Sequence, residues 1–123
     1  MRPGKILVVD DDPEVRMATR DFLTSKGYEV AVAEGGREAL RLLAASPADV
    51  VLLDVAMPDM DGMETLRRIV ATHPAMPVIM VTTETETAQI RRALEAGANE
   101  YLMKPFTKIA VLEKLALLRL LPD

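Results

Sequence analysis

The sequence predicts an α/β fold, a doubly wound parallel sheet built from five β/α units, with 2-1-3-4-5 taken as the strand order such a sheet would have. Three observations predict it. Short apolar runs, rich in β-branched residues and without alternation, read as strands buried on both faces. Stretches of helical periodicity separate these runs, as expected of parallel strands joined by crossover helices. A chain of 123 residues, 50% hydrophobic and 28% charged, matches the size and composition of one ordinary domain, so residues 1–123 are read as a single unit.

The elements follow in order. Ile6 to Val9 is the first strand. The helix after it is well signalled: Asp12 can cap it, Pro13 suits its first position, Val15, Thr19 and Phe22 form one stripe, and Gly27 ends it. Val30 to Ala33 is the second strand, and the helix over Gly36 to Ala45 is stopped by Pro47. Val50 to Leu53 is the third strand; its helix, Gly62 to Thr72, turns Met63, Leu66, Ile69 and Val70 inward and ends before Pro74. Val78 to Val81 precedes a helix over Glu86 to Ala96, with Gly97 placed as a C-terminal glycine stop. Tyr101 to Met103 is the last strand, and Thr107 caps a final helix whose Leu112, Leu115 and Leu118 form a stripe to the end of the chain. No repeat, linker or low-complexity segment interrupts this series.

Composition narrows the function. A net charge of −4 gives the whole molecule no electrostatic reason to seek nucleic acid or anionic lipid, and favours a basic partner surface. The absence of Cys excludes disulfides and thiolate metal sites and is compatible with a reducing compartment. No apolar stretch approaches the roughly 20 residues that span a bilayer. Asp10, Asp11 and Asp12 arrive before a signal-peptide core can form, so a cytoplasmic location without membrane insertion is expected.

The chemistry gathers where the apolar runs end. The first run ends in Asp10 and Asp11, the third in Asp54, the fourth in Thr82 and the fifth in Lys104. In an open parallel sheet these ends lie along one edge, and the first and third strands flank the switch point where ligands bind. Taken singly, each residue reads as a turn, a cap or a surface charge, and Asp12 is adequately explained as a cap. Taken together they do not. Clustered carboxylates raise one another's pKa unless a cation neutralises them, and oxygen ligands suit a hard divalent ion, Mg²⁺ above all. An ammonium and a hydroxyl beside them suit the oxygens of a phosphoryl group. Lys104 precedes Pro105, where a cis peptide is possible; a cis bond there would aim the lysine inward.

Four stretches carry a resemblance: Ile6-Leu-Val-Val-Asp-Asp-Asp-Pro-Glu14, Val51-Leu-Leu-Asp-Val-Ala-Met-Pro-Asp-Met-Asp-Gly62, Val78-Ile-Met-Val-Thr82 and Lys104-Pro-Phe106. In that order they resemble the receiver domains of two-component response regulators, over essentially the whole chain. Within that family, Val81 to Glu86 and Ala93 to Thr107 are most similar to single-domain chemotaxis regulators of the CheY type. The resemblance implies a flavodoxin-like fold and a set of roles. Asp54 would be the nucleophile that accepts a phosphoryl group from a histidine kinase. Asp11 would coordinate Mg²⁺ directly, with Asp54 and the backbone carbonyl of Ala56, while Asp10 acts mostly through water. Thr82 and Lys104 would bind the phosphoryl oxygens, and Tyr101 would be a rotamer switch coupled to Thr82. Ala56 offers no side chain to orient an attacking water, and Thr83 is larger than the usual Ala or Gly, so both bear on the lifetime of the phosphorylated form.

The output surface is expected on the fourth helix, fifth strand and fifth helix, through Ile90, Leu94, Tyr101 and Lys114; read singly, each is ordinary packing or solubility charge. In the resembling family this face changes partner affinity on phosphorylation. A monomer is expected, read by a protein such as a flagellar motor switch or another signalling protein. No DNA-binding segment follows Leu121, so transcriptional output from this chain itself is not expected.

Three features stay with plain readings. His73 precedes Pro74 in a loop without a second histidine to complete a metal site. Asp59-Met-Asp61-Gly62 hints at a calcium loop, but the register then puts Met57 at the first ligand position and Arg68 where the bidentate Glu belongs. Met57, Met60 and Met63 fit gap-filling near the rim of the site.

Two other functions compete. A phosphatase of the haloacid-dehalogenase type uses a similar toolkit, but Pro13-Glu14 breaks its motif, no acidic pair follows Lys104, and the chain is short. A receiver-shaped module that is never phosphorylated would have no need of the complete acidic, hydroxyl and amine set. The expected protein is therefore not an enzyme acting on a metabolite but a phosphoacceptor that assists its own phosphorylation and dephosphorylation.

Overall fold

The structure, a computed structural model, describes residues 4–55, 62–83 and 87–121. Five strands and five helices alternate: β1 (Lys5–Val9), α1 (Pro13–Ser25), β2 (Glu29–Ala33), α2 (Gly36–Ala45), β3 (Val50–Asp54), α3 (Gly62–Thr72), β4 (Val78–Thr83), α4 (Thr87–Ala96), β5 (Glu100–Lys104) and α5 (Lys108–Leu117). All the strand pairs are parallel, in the order β2-β1-β3-β4-β5, as the sequence predicts. The fold is flavodoxin-like. Among the described residues no helix is long and apolar enough to cross a membrane.

The unalternating strands are unalternating because each face of the sheet has its own core. Leu7, Val9, Val51, Leu53, Val78 and Met80 pack against α2, α3 and α4 through Ala39, Leu43, Leu66, Ile69 and Ala93. Ile6, Val8, Val50, Leu52, Ile79, Val81 and Leu102 face the other way, onto Leu23 of α1 and Val111 and Leu115 of α5. Most of these side chains are fully buried, and each buried aliphatic contributes about 1.5–3 kcal/mol relative to an exposed one.

Local chemistry sets the element ends. Asp12 Oδ1 accepts from the Glu14 amide at 2.9 Å, capping α1 ahead of Pro13, and Thr107 Oγ1 accepts from the Ala110 amide at 3.0 Å to cap α5. After α4, Gly97 takes φ 118°, and a Cβ there would meet Val70 at 2.9 Å, so a side chain is disfavoured twice over.

Several expected boundaries shift. The inward positions of α1 are Thr19 and Leu23, while Val15 and Phe22 are only half-buried; in α3, Val70 is half-buried. Helix α5 does not run to the end of the chain. It stops at Leu117, the backbone turns at Arg119 with φ 64°, and the Leu120 amide returns to the Leu115 carbonyl at 2.9 Å. Strands β3, β4 and β5 extend further than their apolar runs, so Asp54, Thr82 and Lys104 are themselves strand residues. The expectations for Ala56, Met57, Asp59, Met60, Asp61 and Glu86, and for the Thr83 side chain, lie outside the described residues.

Candidate functional site

Strand alternation sorts the site residues by face. Asp54 has the parity of Val50 and Leu52, Lys104 that of Leu102, and Asp10 continues the parity of Ile6 and Val8. All three fall on the α1/α5 side of the sheet. Thr82 has the parity of Val78 and Met80 and belongs to the opposite side, as does Tyr101.

The three on the α1/α5 side meet. Lys104 Nζ lies 2.9 Å from Asp10 Oδ2 and 3.2 Å from Asp54 Oδ2, so one ammonium bridges two buried carboxylates. Asp10 Oδ1 also accepts from the Asp12 amide at 2.9 Å, which ties the cap of α1 to the pocket. The Lys104–Pro105 peptide bond is cis. Burial acts to lower the pKa of Lys104, but the hydrogen bond to Asp10 and the charges of Asp54 and Asp10 together outweigh it and raise the pKa above the ordinary lysine value.

Asp11 completes the acidic set. One carboxylate oxygen each from Asp10, Asp11 and Asp54 lies within 4.8 Å of the others, with Asp11 exposed at the mouth and the other two buried beneath it. Among the described residues, three formal negative charges face one ammonium, which leaves a net deficit of positive charge. An oxygen-only donor set with that deficit suits a hard divalent cation such as Mg²⁺ rather than a thiolate- or imidazole-seeking metal. The bridging Lys104 shows that the pocket already holds one cation between its carboxylates. Thr82 is buried at the end of β4, opposite Met103.

Two residues to which the sequence gives no role at the site hold the backbone of this edge. The Arg16 guanidinium on α1 donates from Nη1 to the Asp10 carbonyl at 2.9 Å. Gly62, at the start of α3, presses on the end of β3: a Cβ built there would lie 2.4 Å from Val55 Cα and 2.6 Å from the Asp54 carbonyl oxygen. No sequence signal marks Arg16 among the other helical arginines. The glycine opening a helix after a Pro- and Asp-rich stretch is a weak signal of close approach.

The expected output residues are only partly gathered. Lys114 Nζ sits 4.8 Å above the Tyr101 ring and 2.7 Å from Glu100 Oε1. Leu94 is 43% exposed, while Ile90 and Tyr101 are half-buried. Tyr101 pairs with Met80, which puts it diagonal to Thr82 on the same face of neighbouring strands.

Comparison with known proteins agrees with this geometry. The family profile of the response regulator receiver domain matches residues 6–116. Response regulator MprA of Mycolicibacterium vanbaalenii is 44% identical over 118 residues, 95% of this chain and 51% of that protein. MprA of Mycobacterium ulcerans is 41% identical over 116 residues, 94% of this chain and 50% of that one. The chain thus spans about half the length of these curated relatives. Among solved structures, the chemotaxis protein CheY4 of Vibrio cholerae matches with a TM-score of 0.86 at 35% identity, covering 96% of this chain and 98% of that one. A CheY-like receiver domain protein from Methanospirillum hungatei matches with a TM-score of 0.87 at 36% identity, covering 91% and 90%.

Proposed function

The chain belongs to the response regulator receiver domain family of two-component systems, and from that premise we propose that it is a switch phosphorylated on Asp54 by a histidine kinase. The observation that carries the reading is the Lys104 ammonium bridging Asp10 and Asp54 at the edge of the sheet. An Asp54 carboxylate oxygen attacks the phosphorus of a phosphohistidine, the P–N bond breaks, and the imidazole leaves with that electron pair. An aspartyl phosphate results. Lys104, already at hydrogen-bond distance from Asp54, transfers its contact to a phosphoryl oxygen, and the Thr82 hydroxyl donates to another.

Asp11 and Asp54 would hold Mg²⁺, with Asp10 acting through water; the expected third ligand, the Ala56 carbonyl, lies outside the described residues. Mg²⁺ held there would supply positive charge beside the transferring phosphoryl group. Phosphorylation adds roughly two negative charges at neutral pH beside groups already short of positive charge. Drawing Lys104 and Thr82 toward the phosphoryl group then biases Tyr101 and, through it, the face formed by α4, β5 and α5.

Two observations bear on who reads that face. Similarity to CheY4 over nearly its whole length supports a stand-alone regulator read by a signalling protein. Higher identity to half of MprA supports a receiver working within a longer response regulator. In either setting the chain turns over no metabolite.

Incubation with acetyl phosphate and Mg²⁺ tests the proposal. The expected result is a base-labile mass gain of one phosphoryl group, absent in Asp54→Asn and abolished by chelation. No Asp54-dependent gain would leave an unphosphorylated interaction module as the better reading. Steady phosphate release from small esters, lost in Asp10→Asn but kept in Asp54→Asn, would instead favour a phosphatase.

A further inference from the structure

The geometry points to Arg16 as a positioning residue for the acidic pocket, a role that rests on the Mg²⁺-dependent reading above. Its side chain is only 11% exposed, unusual for an arginine without a buried carboxylate partner. One nitrogen, Nη1, donates to the backbone carbonyl of Asp10 at 2.9 Å, and Nη2 lies 3.7 Å from Glu34 Oε1 in the turn after β2. Glu34 is itself anchored, its amide donating to Glu38 Oε1 at 2.9 Å. The Asp10 amide donates to the Ala33 carbonyl at 3.2 Å. Residue 10 is thus held on its amide side by β2 and on its carbonyl side by α1.

The consequence falls on the next residue. A peptide unit is planar, so fixing the Asp10 carbonyl also fixes the Asp11 nitrogen and the direction in which its Cα leaves. Asp11 is exposed, and its side chain has one short rotor chain with which to reach Asp10 and Asp54. Its reach toward a shared cation is therefore set by the backbone, and Arg16 sets the backbone. Charge alone argues the opposite way, because a guanidinium beside a cation site repels the cation. Positioning and charge thus predict opposite signs for the loss of Arg16.

The test is Mg²⁺ affinity without any phosphodonor, read from the Asp10 and Asp11 amide shifts in ¹H–¹⁵N NMR spectra of the whole chain. Arg16→Met is expected to weaken binding about tenfold, the low end for losing a group that orients a metal ligand. Arg16→Lys keeps the charge but not the planar fork, and is expected to fall between the two. Arg16→Met binding Mg²⁺ as tightly as the parent, or more tightly, would overturn the proposal. If that variant does not fold, Arg16→Lys decides: weakened binding supports the proposal and parental affinity overturns it. A parent without a saturable, Asp11-dependent shift would overturn the functional reading itself, and this inference with it.

Discussion

Lys104 Nζ lies 2.9 Å from Asp10 Oδ2, so a side chain from the edge strand β5 reaches past the ends of β4 and β3 to the end of β1. The contact joins the two sequence segments most distant in the pocket. It also makes one ammonium responsible for two buried carboxylates.

Removing that ammonium takes a shared ion pair from both carboxylates. Breaking a buried ion pair from one side costs about 3–5 kcal/mol, and the 24% exposure of the Lys104 side chain argues for less, about 2–3 kcal/mol. Lys104→Met is therefore expected to lower the urea midpoint in the presence of chelator. Millimolar Mg²⁺ should recover more stability in this variant than in the parent, because the ion replaces the missing charge. Equal Mg²⁺ effects on the two proteins would refute this account.

Alkaline pH should destabilise the protein through two groups. The folded pKa of Lys104 is raised, so its contribution is complete below the ordinary lysine value and is lost as pH climbs through the higher folded value. Burial raises the pKa of the Tyr28 phenol, so the fold favours its neutral form and loses that preference in the same direction. The urea midpoint is expected to fall between about pH 9 and pH 12, the range of the unperturbed Tyr and Lys values and just above. Tyr28→Phe should flatten that fall while costing about 1 kcal/mol at neutral pH, since Tyr28 Oη donates to the Leu120 carbonyl at 2.6 Å.

Gly62→Ala should be among the costliest single-methyl additions. The atoms in its way, Val55 Cα and the Asp54 carbonyl oxygen, are backbone and have no rotamer to change. A loss of about 1–3 kcal/mol is expected from the overpacking. Displacement of the end of β3 should also slow acetyl phosphate labelling. A matched core variant, Leu66→Ala, removes a fully buried side chain from the same helix and is expected to cost about 2–5 kcal/mol. Labelling of Leu66→Ala should stay near the parental rate while it remains folded; equal slowing in both would make Gly62 a matter of stability alone.

Lys114→Gln should separate fold from output. Its pairs with Glu100 and the Tyr101 ring are partly exposed, so a stability change below about 1 kcal/mol is expected. The Tyr101 ring signals should nonetheless shift in NMR spectra. On adding beryllofluoride and Mg²⁺, Tyr101 and Ile90 are expected to move in the parent, and unmoved signals would break the proposed route from pocket to face.

The strands and helices were legible because a parallel sheet leaves strong local marks: runs such as Val50 to Leu53, caps such as Asp12, stops such as Gly97. Their ends were less so. An apolar run stops at the first polar residue, yet Asp54, Thr82 and Lys104 stay in the ladder because backbone pairing is indifferent to side-chain polarity. The early end of α5 depends on the return of Leu120 to Leu115 and on the Tyr28 contact 92 residues away, which no local window contains. The carboxylates, hydroxyl and lysine of the site could be read from their places after the runs. Arg16 could not, and Gly62 only weakly, since each acts on a carbonyl or a Cα rather than through a reactive side chain.

The division of the site between the two faces of the sheet has a consequence for how such a protein can diversify. Asp54, Lys104 and Asp10 answer to the layer formed by α1 and α5, whereas Thr82 and Tyr101 answer to the layer formed by α2, α3 and α4. On the proposed reading, a message arrives on one wall of the molecule, crosses at a rim of charged and hydroxyl groups, and reaches a face that borders both walls, since α4 belongs to one and α5 to the other. Substitutions in the core under α4 can then retune the listener alone, whereas those under α5 act on the pocket and the listening face together.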